Sequence, residues 1–254
     1  MLRVMSELQG FTITATDGDI GSVEAFYFDD ETFTVRHLVV DTGGWLTGRK
    51  VLISPRAVGG IDWDARRITV ALTKAQVEQS PEIDTALPVG RQQEIAQDAH
   101  YGYPHYWAGP YLWGVGPYPV MTPTSADALD QQRRWDWQSR DKGDPHLRSS
   151  TTVIGYYIEA EDGDIGHVED FLVDDGSWAI RYVIVDTRNW WPGKKVLISP
   201  EWVDRVDWHE SKVYVSVTRA EIEKSPEYDP SGPILREYEG RLHAHYGRPT
   251  YWRQ

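Results

Sequence analysis

The chain has 254 residues, of which 40% are hydrophobic and twelve are tryptophan, and it carries a formal net charge of −13. That is enough apolar material for two small cores, and the absence of cysteine excludes disulfides, thiolate metal sites, iron–sulfur clusters and thiol nucleophiles. The acid excess lies in both halves and repels phosphates, so nucleic acid and anionic lipid are not expected as partners, whereas a basic protein surface is.

The amino-terminal stretch from Met1 to Ile13 has neither a long apolar run nor a cleavage-site pattern, and nothing approaches the roughly 20 apolar residues that span a bilayer. A soluble, cytoplasmic protein with no membrane span is expected. From residue 10 onward the chain repeats itself. Residues 10–107 return as 155–252 at a constant offset of 145, with 46 of the 98 positions identical. Identity at that level without a gap marks a tandem duplication.

Each copy opens with a short strand that ends in Asp17-Gly18-Asp19 or Asp162-Gly163-Asp164, a turn signal because glycine accepts positive φ and aspartate bonds the nearby backbone. A second strand follows over 22–28 and 167–173, and then a pair of aspartates, Asp29-Asp30 and Asp174-Asp175. The third strand, 35–40 and 180–185, is apolar on both faces, as a central strand is. A fourth, 50–54 and 195–199, is stopped by Pro55 and Pro200. Two more follow, at 58–63 and 203–208 and then along the alternating Ile68, Val70, Leu72 and Val213, Val215, Val217. Six short strands separated by turn chemistry predict a mainly β protein made of two small six-stranded barrels.

Thr73 with Gln76, and Thr218 with Glu221, have capping-box spacing and predict a short helix after each barrel. Helical tails are expected over 91–101 and 235–245, the second placing Leu235, Tyr238 and Leu242 on one face and ending at Gly247. Both tails finish in Tyr-Trp, Tyr106-Trp107 and Tyr251-Trp252, expected to fold back as an apolar clasp. Residues 108–149 form a connector rich in proline, glycine and aromatics, with a short helix expected near 126–138. Trp113, Trp135 and Trp137 make it an ordered strap rather than a bare tether. The domains are therefore placed at 1–107, 108–149 and 150–254.

The order of strand, Asp-Gly-Asp turn, strand, paired aspartates, strand, "VVD", loop, "KVLISP" and two further strands resembles the PRC-barrel family. Gly21, Asp41 and 50–55 carry the resemblance, with their counterparts Gly166, Asp186 and 195–200. The family includes the cytoplasmic domain of the photosynthetic reaction-centre H subunit and the C-terminal domain of the ribosome maturation factor RimM. The chain also resembles stand-alone bacterial tandem proteins of this family, and the resemblance implies a small six-stranded barrel used for binding or assembly without a common catalytic residue.

Several constellations invite chemistry. Asp41-Thr42-Gly43 and Asp186-Thr187-Arg188 suggest the paired carboxylates of an acid-dependent aspartic hydrolase, although Arg188 departs from that pattern and the plainer reading is a carboxylate capping its loop. Asp29, Asp30, Asp174 and Asp175 are weak candidates for a hard-cation site, since calcium takes six to eight oxygens and its loop spacing is missing; solvated turn acids are the plainer reading. Arg36 and Arg181 face Glu24 and Glu169 across the preceding strand, so a cross-strand ion pair or a partner's carboxylate is expected to take them. Trp45, Trp190 and Trp191 lie in the loop before the fourth strand, beside Lys50 and Lys195; indoles with basic neighbours anchor interfaces, and packing against the other barrel or a second copy is expected of them as well as contact with an external partner. The expected function is a non-catalytic adaptor that uses these residues and no cofactor, and it includes a homo-oligomer. The alternative is a ligand or metal sensor with a cleft between the barrels.

Overall fold

The computed structural model describes residues 1–82, 84, 89–120, 146–187 and 194–252. Its elements in chain order are β1 (Leu2–Val4), β2 (Thr12–Ala15), β3 (Gly18–Asp29), β4 (Thr34–Asp41), β5 (Lys50–Ile53), β6 (Val58–Asp62), β7 (Arg67–Val70), α1 (Lys74–Glu78) and α2 (Arg91–Tyr101). The second half continues with β8 (Leu147–Ser149), α3 (Ser150–Val153), β9 (Tyr157–Ala160), β10 (Gly163–Asp174), β11 (Ile180–Asp186), β12 (Lys195–Ile198), β13 (Val203–Asp207), β14 (Lys212–Val215), α4 (Arg219–Lys224) and α5 (Arg236–His245). All six strands expected of each copy form. The helix expected near 126–138, Trp135 and Trp137 lie outside the described residues.

Contacts divide the chain into two compact units. One, the first-repeat unit, holds Glu7–Thr151 and Asp175–Ala179; the other, the second-repeat unit, holds Met1–Ser6, Thr152–Asp174 and Ile180–Gln254. The amino-terminal strand thus belongs with the second repeat, and the described part of the connector with the first.

In the first-repeat unit the sheet order is β5-β4-β3-β2-β7-β6, antiparallel throughout except for the parallel β2–β7 pair. Val23, Phe26, Phe28, Leu38, Val40, Val51, Ile53, Ile68 and Val70 are all buried. Ala25, Tyr27, Val39 and Leu52 form a second apolar cluster with Val89 and Leu147. These residues alternate with the first set along β3, β4 and β5, so the central strands are buried on both faces, as the unbroken apolar run of β4 requires.

The length of β3 creates a demand that its hairpin partners do not meet. It runs for 12 residues, while β2 covers only its first part, to Ser22. An uncovered strand edge is a row of unpaired N–H and C=O groups. Here β8 docks antiparallel on the last three residues, Tyr27 opposite Ser149 and Asp29 opposite Leu147, and the Ser150 hydroxyl accepts from the Phe26 N–H at 3.2 Å.

The second-repeat unit solves the same problem with the same residues one repeat away. Its order is β12-β11-β10-β9-β14-β13, and β1 docks on β10 with Leu2 opposite Asp174 and Val4 opposite Leu172. Leu2-Arg3 and Leu147-Arg148 stand at the same offset of 145 as the rest of the duplication. Each copy's leading strand therefore completes the sheet of the other copy's unit, and each sheet has seven strands rather than six.

Both capping boxes form, Thr73 with Gln76 and Thr218 with Glu221. The turns that end the long tails hold Gly102 at φ 71° and Gly247 at φ 61°. On α5, however, the buried residues are Glu239, Leu242 and His243, while Leu235 is 61% exposed. The expected apolar face is thus only partly used: Leu242 is buried as expected and Tyr238 half-buried, while Leu235 stays exposed, and hydrogen bonds described below satisfy the polar residues buried beside Leu242.

One close approach sets the crossing of β3 over β4. A Cβ on Gly21 would stand 2.1 Å from the Asp41 carbonyl oxygen, and one on Gly166 would stand 2.1 Å from that of Asp186. Backbone cannot retreat as a side-chain tip can, so Gly21→Ala and Gly166→Ala should each cost at least ~2 kcal/mol of stability. Gly44→Ala, which meets nothing within 4 Å, should be close to neutral. Urea unfolding compares the three, and equal midpoints would contradict the close approach.

Candidate interaction surface

Trp45 stands on the loop between β4 and β5, 37% exposed, and that loop is closed by its own polar groups. The Thr42 hydroxyl donates to the Arg49 carbonyl at 2.6 Å, and the Gly48 N–H donates to the Gly43 carbonyl at 2.7 Å. Arg49 donates to the carbonyls of Glu78, at 2.9 Å, and Ser80, fastening the loop to the end of α1. The Lys74 ammonium lies 4.9 Å from the Trp45 ring centroid. The indole is thus exposed on an ordered loop with a cation on its face.

The residues that flank the matching second-repeat loop make comparable contacts. The Thr187 hydroxyl donates to the Lys194 carbonyl at 2.7 Å, and the Lys194 ammonium donates to the carbonyl of Glu223. Trp190 and Trp191 lie outside the described residues. In the first repeat the Asp-Thr motif serves its loop. Asp41 accepts from the Gly43 N–H at 2.8 Å, and Asp186, almost fully buried, lies 3.8 Å from His167 Nε2.

The strand cations are placed differently from the expected cross-strand pairs. Glu24 pairs with Lys50 at 2.6 Å and Glu169 pairs with Lys195, so lysines take the acids expected to pair with Arg36 and Arg181. Arg36 is only 2% exposed and turns inward. It donates to Asp29 at 3.2 Å, to the Thr32 hydroxyl at 3.0 Å and to the Leu112 carbonyl at 2.7 Å. The Tyr106 ring covers its guanidinium, with the centroid at 3.6 Å. Arg181 lies over the matching Tyr251 ring at 4.2 Å. Lys50 and Lys195 remain partly exposed, whereas Arg36 fastens the tail to the sheet of its own unit.

The paired aspartates are likewise engaged. Asp29, 3% exposed, is not a solvated turn acid. Burial pushes its carboxyl up, but Arg36 and the N–H groups of Thr32 and Glu31 outweigh that and hold it below the usual carboxylate range. Asp30 pairs with Arg148 at 2.9 Å, and burial raises it against that pull. Asp174 meets the chain's amino terminus at 3.7 Å. Asp175 lies in the first-repeat unit, beside the buried Trp178. Among the described residues no three acids or histidines converge as a metal site.

A buried polar network beneath the tails was not expected from the sequence. In the first-repeat unit Glu94 accepts from the Tyr106 hydroxyl at 2.7 Å and lies 2.8 Å from His146 Nε2, with Arg91 at 3.3 Å. One turn on, Asp98 is 2.8 Å from His105 Nδ1. In the second-repeat unit Glu239 accepts from the hydroxyls of Tyr251, at 2.8 Å, and Tyr182, at 3.1 Å, and His243 donates to the Pro249 carbonyl at 2.7 Å. The Tyr-Trp clasp is therefore hydrogen-bonded rather than purely apolar. Its signal was available, since Glu94 and Glu239 occupy the same position of the duplication with a polar residue four further on.

Asp98 makes this network pH-sensitive. Burial raises its pKa to about 6, opposed by the His105 hydrogen bond and reinforced by Glu94. A raised carboxylate pKa means that the folded state holds the proton more tightly, so this group's contribution falls as pH rises from about 4 through about 6. Buried His37, lowered to about 4 mainly by burial, acts oppositely and costs stability as pH falls below its ordinary value. Between pH 4 and pH 7, Asp98→Asn should therefore gain on the order of 2 kcal/mol relative to the parent protein. Urea titrations at the two pH values measure this, and a constant difference between the proteins would contradict it.

The PRC-barrel domain model matches two segments of the chain, residues 5–77 and 146–222, together more than half of its length. No curated protein is similar enough to count as a match. The first segment contains β2 to β7 and the second β8 to β14. The chain belongs to the PRC-barrel domain family and carries that domain twice in tandem.

Proposed function

We propose that this protein is a non-catalytic assembly factor of the cytoplasm that holds a protein partner with a basic surface. The PRC-barrel is in general a non-catalytic domain. The observation that carries the reading is Trp45, a large indole left exposed on a loop that five polar contacts hold in place. A rigid exposed aromatic loses little conformational freedom on contact, which is why such residues anchor interfaces. Trp190 repeats it at the same position of the second copy.

Charge supports the choice of partner. With a net charge of −13, the surface attracts basic proteins and repels nucleic-acid phosphates. Lys50 and Lys195 are each paired with a glutamate beside the loop. They shape a local rim without reversing the overall sign. Among the described residues no helix is long and apolar enough to cross a membrane.

The test is affinity capture by the full chain at low and high salt, with the Trp45→Ala, Trp190→Ala double variant alongside. A stoichiometric basic protein that high salt releases and the double variant retains at least tenfold less supports the reading, provided thermal unfolding of the variant is unchanged. Equal retention by both proteins, or no partner at low salt, would overturn it.

A further inference from the structure

The second-repeat unit contains a recess of about 310 Å³ between the segment after α4 and the first turns of α5. That is the lower end of the range for small-ligand sites, ample for one long side chain. Its apolar wall is made by the Tyr228 and Tyr238 rings with Ile234 and the exposed Leu235. The Tyr238 hydroxyl donates to the Pro226 carbonyl at 3.2 Å, which fixes the ring with its hydroxyl occupied. Leu235 and Tyr238 are the end of the expected apolar face of α5 that borders the recess, whereas Leu242 of the same face is buried.

The rim is acidic. Glu227, Asp229 and Glu237 line the recess and are exposed, and hydrogen bonds from the Ser231 hydroxyl and N–H hold the Asp229 carboxyl below its ordinary range. Among the described residues lining it, Arg241 is the one cation. Lys194 senses Glu227, but its ammonium already donates to the carbonyls of Ile222 and Glu223.

The duplication supplies an internal comparison. At matching positions the first copy keeps two of the acids, Glu82 and Asp84, but replaces Tyr228, Leu235 and Tyr238 by Ile83, Gly90 and Gln93. Glu237 and Arg241 become Gln92 and Ala96. The aromatic wall and the third carboxylate are thus features of the second copy alone, laid over a scaffold that both share.

We propose that this recess seats an arginine or lysine side chain from a basic segment of a protein partner, with the cation among the carboxylates and its stem against the tyrosine and leucine wall. Aromatic faces with carboxylates around them attract an organic cation by both ring quadrupole and charge. An apolar neighbour in the segment rests on Leu235. The proposal rests on the assembly reading above and names one contact for it, separate from Trp45.

The experiment is an NMR titration of the isotope-labelled full chain with acetyl-Leu-Arg-Leu-amide. The same peptide with citrulline in place of arginine is the neutral control, and the Glu227→Gln, Asp229→Asn, Glu237→Gln triple variant is the protein control. The expected result is saturable shifts at 226–241, with affinity at least tenfold lower for the citrulline peptide and for the triple variant. Shifts that extend equally to Glu82 and Asp84 would show general attraction to acids and overturn the proposal. So would equal binding of the citrulline peptide, unchanged binding by the triple variant, or no shift at millimolar peptide. A basic partner captured equally by parent and triple variant would remove the recess while leaving the assembly reading. Peptide bound in the recess with Trp45 and Trp190 dispensable for capture would remove the tryptophan interface instead.

Discussion

The uncovered edge of one long strand in each unit organises much of this protein. β3 and β10 are 12 residues long, against four for the hairpin partners on one side of them. Leaving the remaining N–H and C=O groups unpaired within a folded unit would cost free energy at each one. The three-residue strands β8 and β1 remove that cost, and each comes from the leading end of the other copy. Following these two strands, the chain passes from one unit to the other at 6/7 and at 151/152, within matching short helical turns, and it crosses twice more on either side of Asp175–Ala179.

Covering the outer face of the sheet is the second consequence. Once Leu147 docks beside Tyr27, the cluster of Ala25, Val39, Leu52 and Val89 is closed, and α2 follows directly. That helix buries Glu94, Gln97 and Asp98, which a low-dielectric environment tolerates only with partners. Tyr106, Arg91, His146 and His105 supply them. The tails are held by hydrogen-bond geometry as well as by apolar area, so proton binding reaches the packing of the unit.

The two copies keep the same machinery for building the sheet and differ in what lies over it. The glycine approaches, Ser-Pro turns, capping boxes and loop closures repeat. The layer above them does not. Arg36 is sealed under Tyr106 with an acid at its tip, while Arg181 lies half-buried over Tyr251. Ala57 in one copy becomes the buried Trp202 in the other, and the second copy builds an aromatic recess after α4. A duplicated scaffold with divergent coverings suits a protein whose two halves meet different surfaces.

Local pattern alone determined the six strands of each copy, both capping boxes, the helix-ending glycines and the duplication, because period-two alternation and turn chemistry are readable within a few residues. The position of Trp45 on a loop was legible for the same reason. What only the tertiary structure decided involves partners far apart in the sequence. A three-residue strand such as Leu2–Val4 has too little periodicity to announce itself, and its mate lies some 170 residues away. Arg36 faces Glu24 in a flat-strand reading, but the bulge between Val23 and Ala25 and the arrival of Tyr106 and Leu112 send it to Asp29 instead. Likewise the apolar pattern of α5 predicts the burial of Leu242 but not that of Glu239 and His243 beside it, which find Tyr182, Tyr251 and the Pro249 carbonyl. Polar burial is decided by satisfied hydrogen bonds, and those bonds exist only once the whole unit has folded.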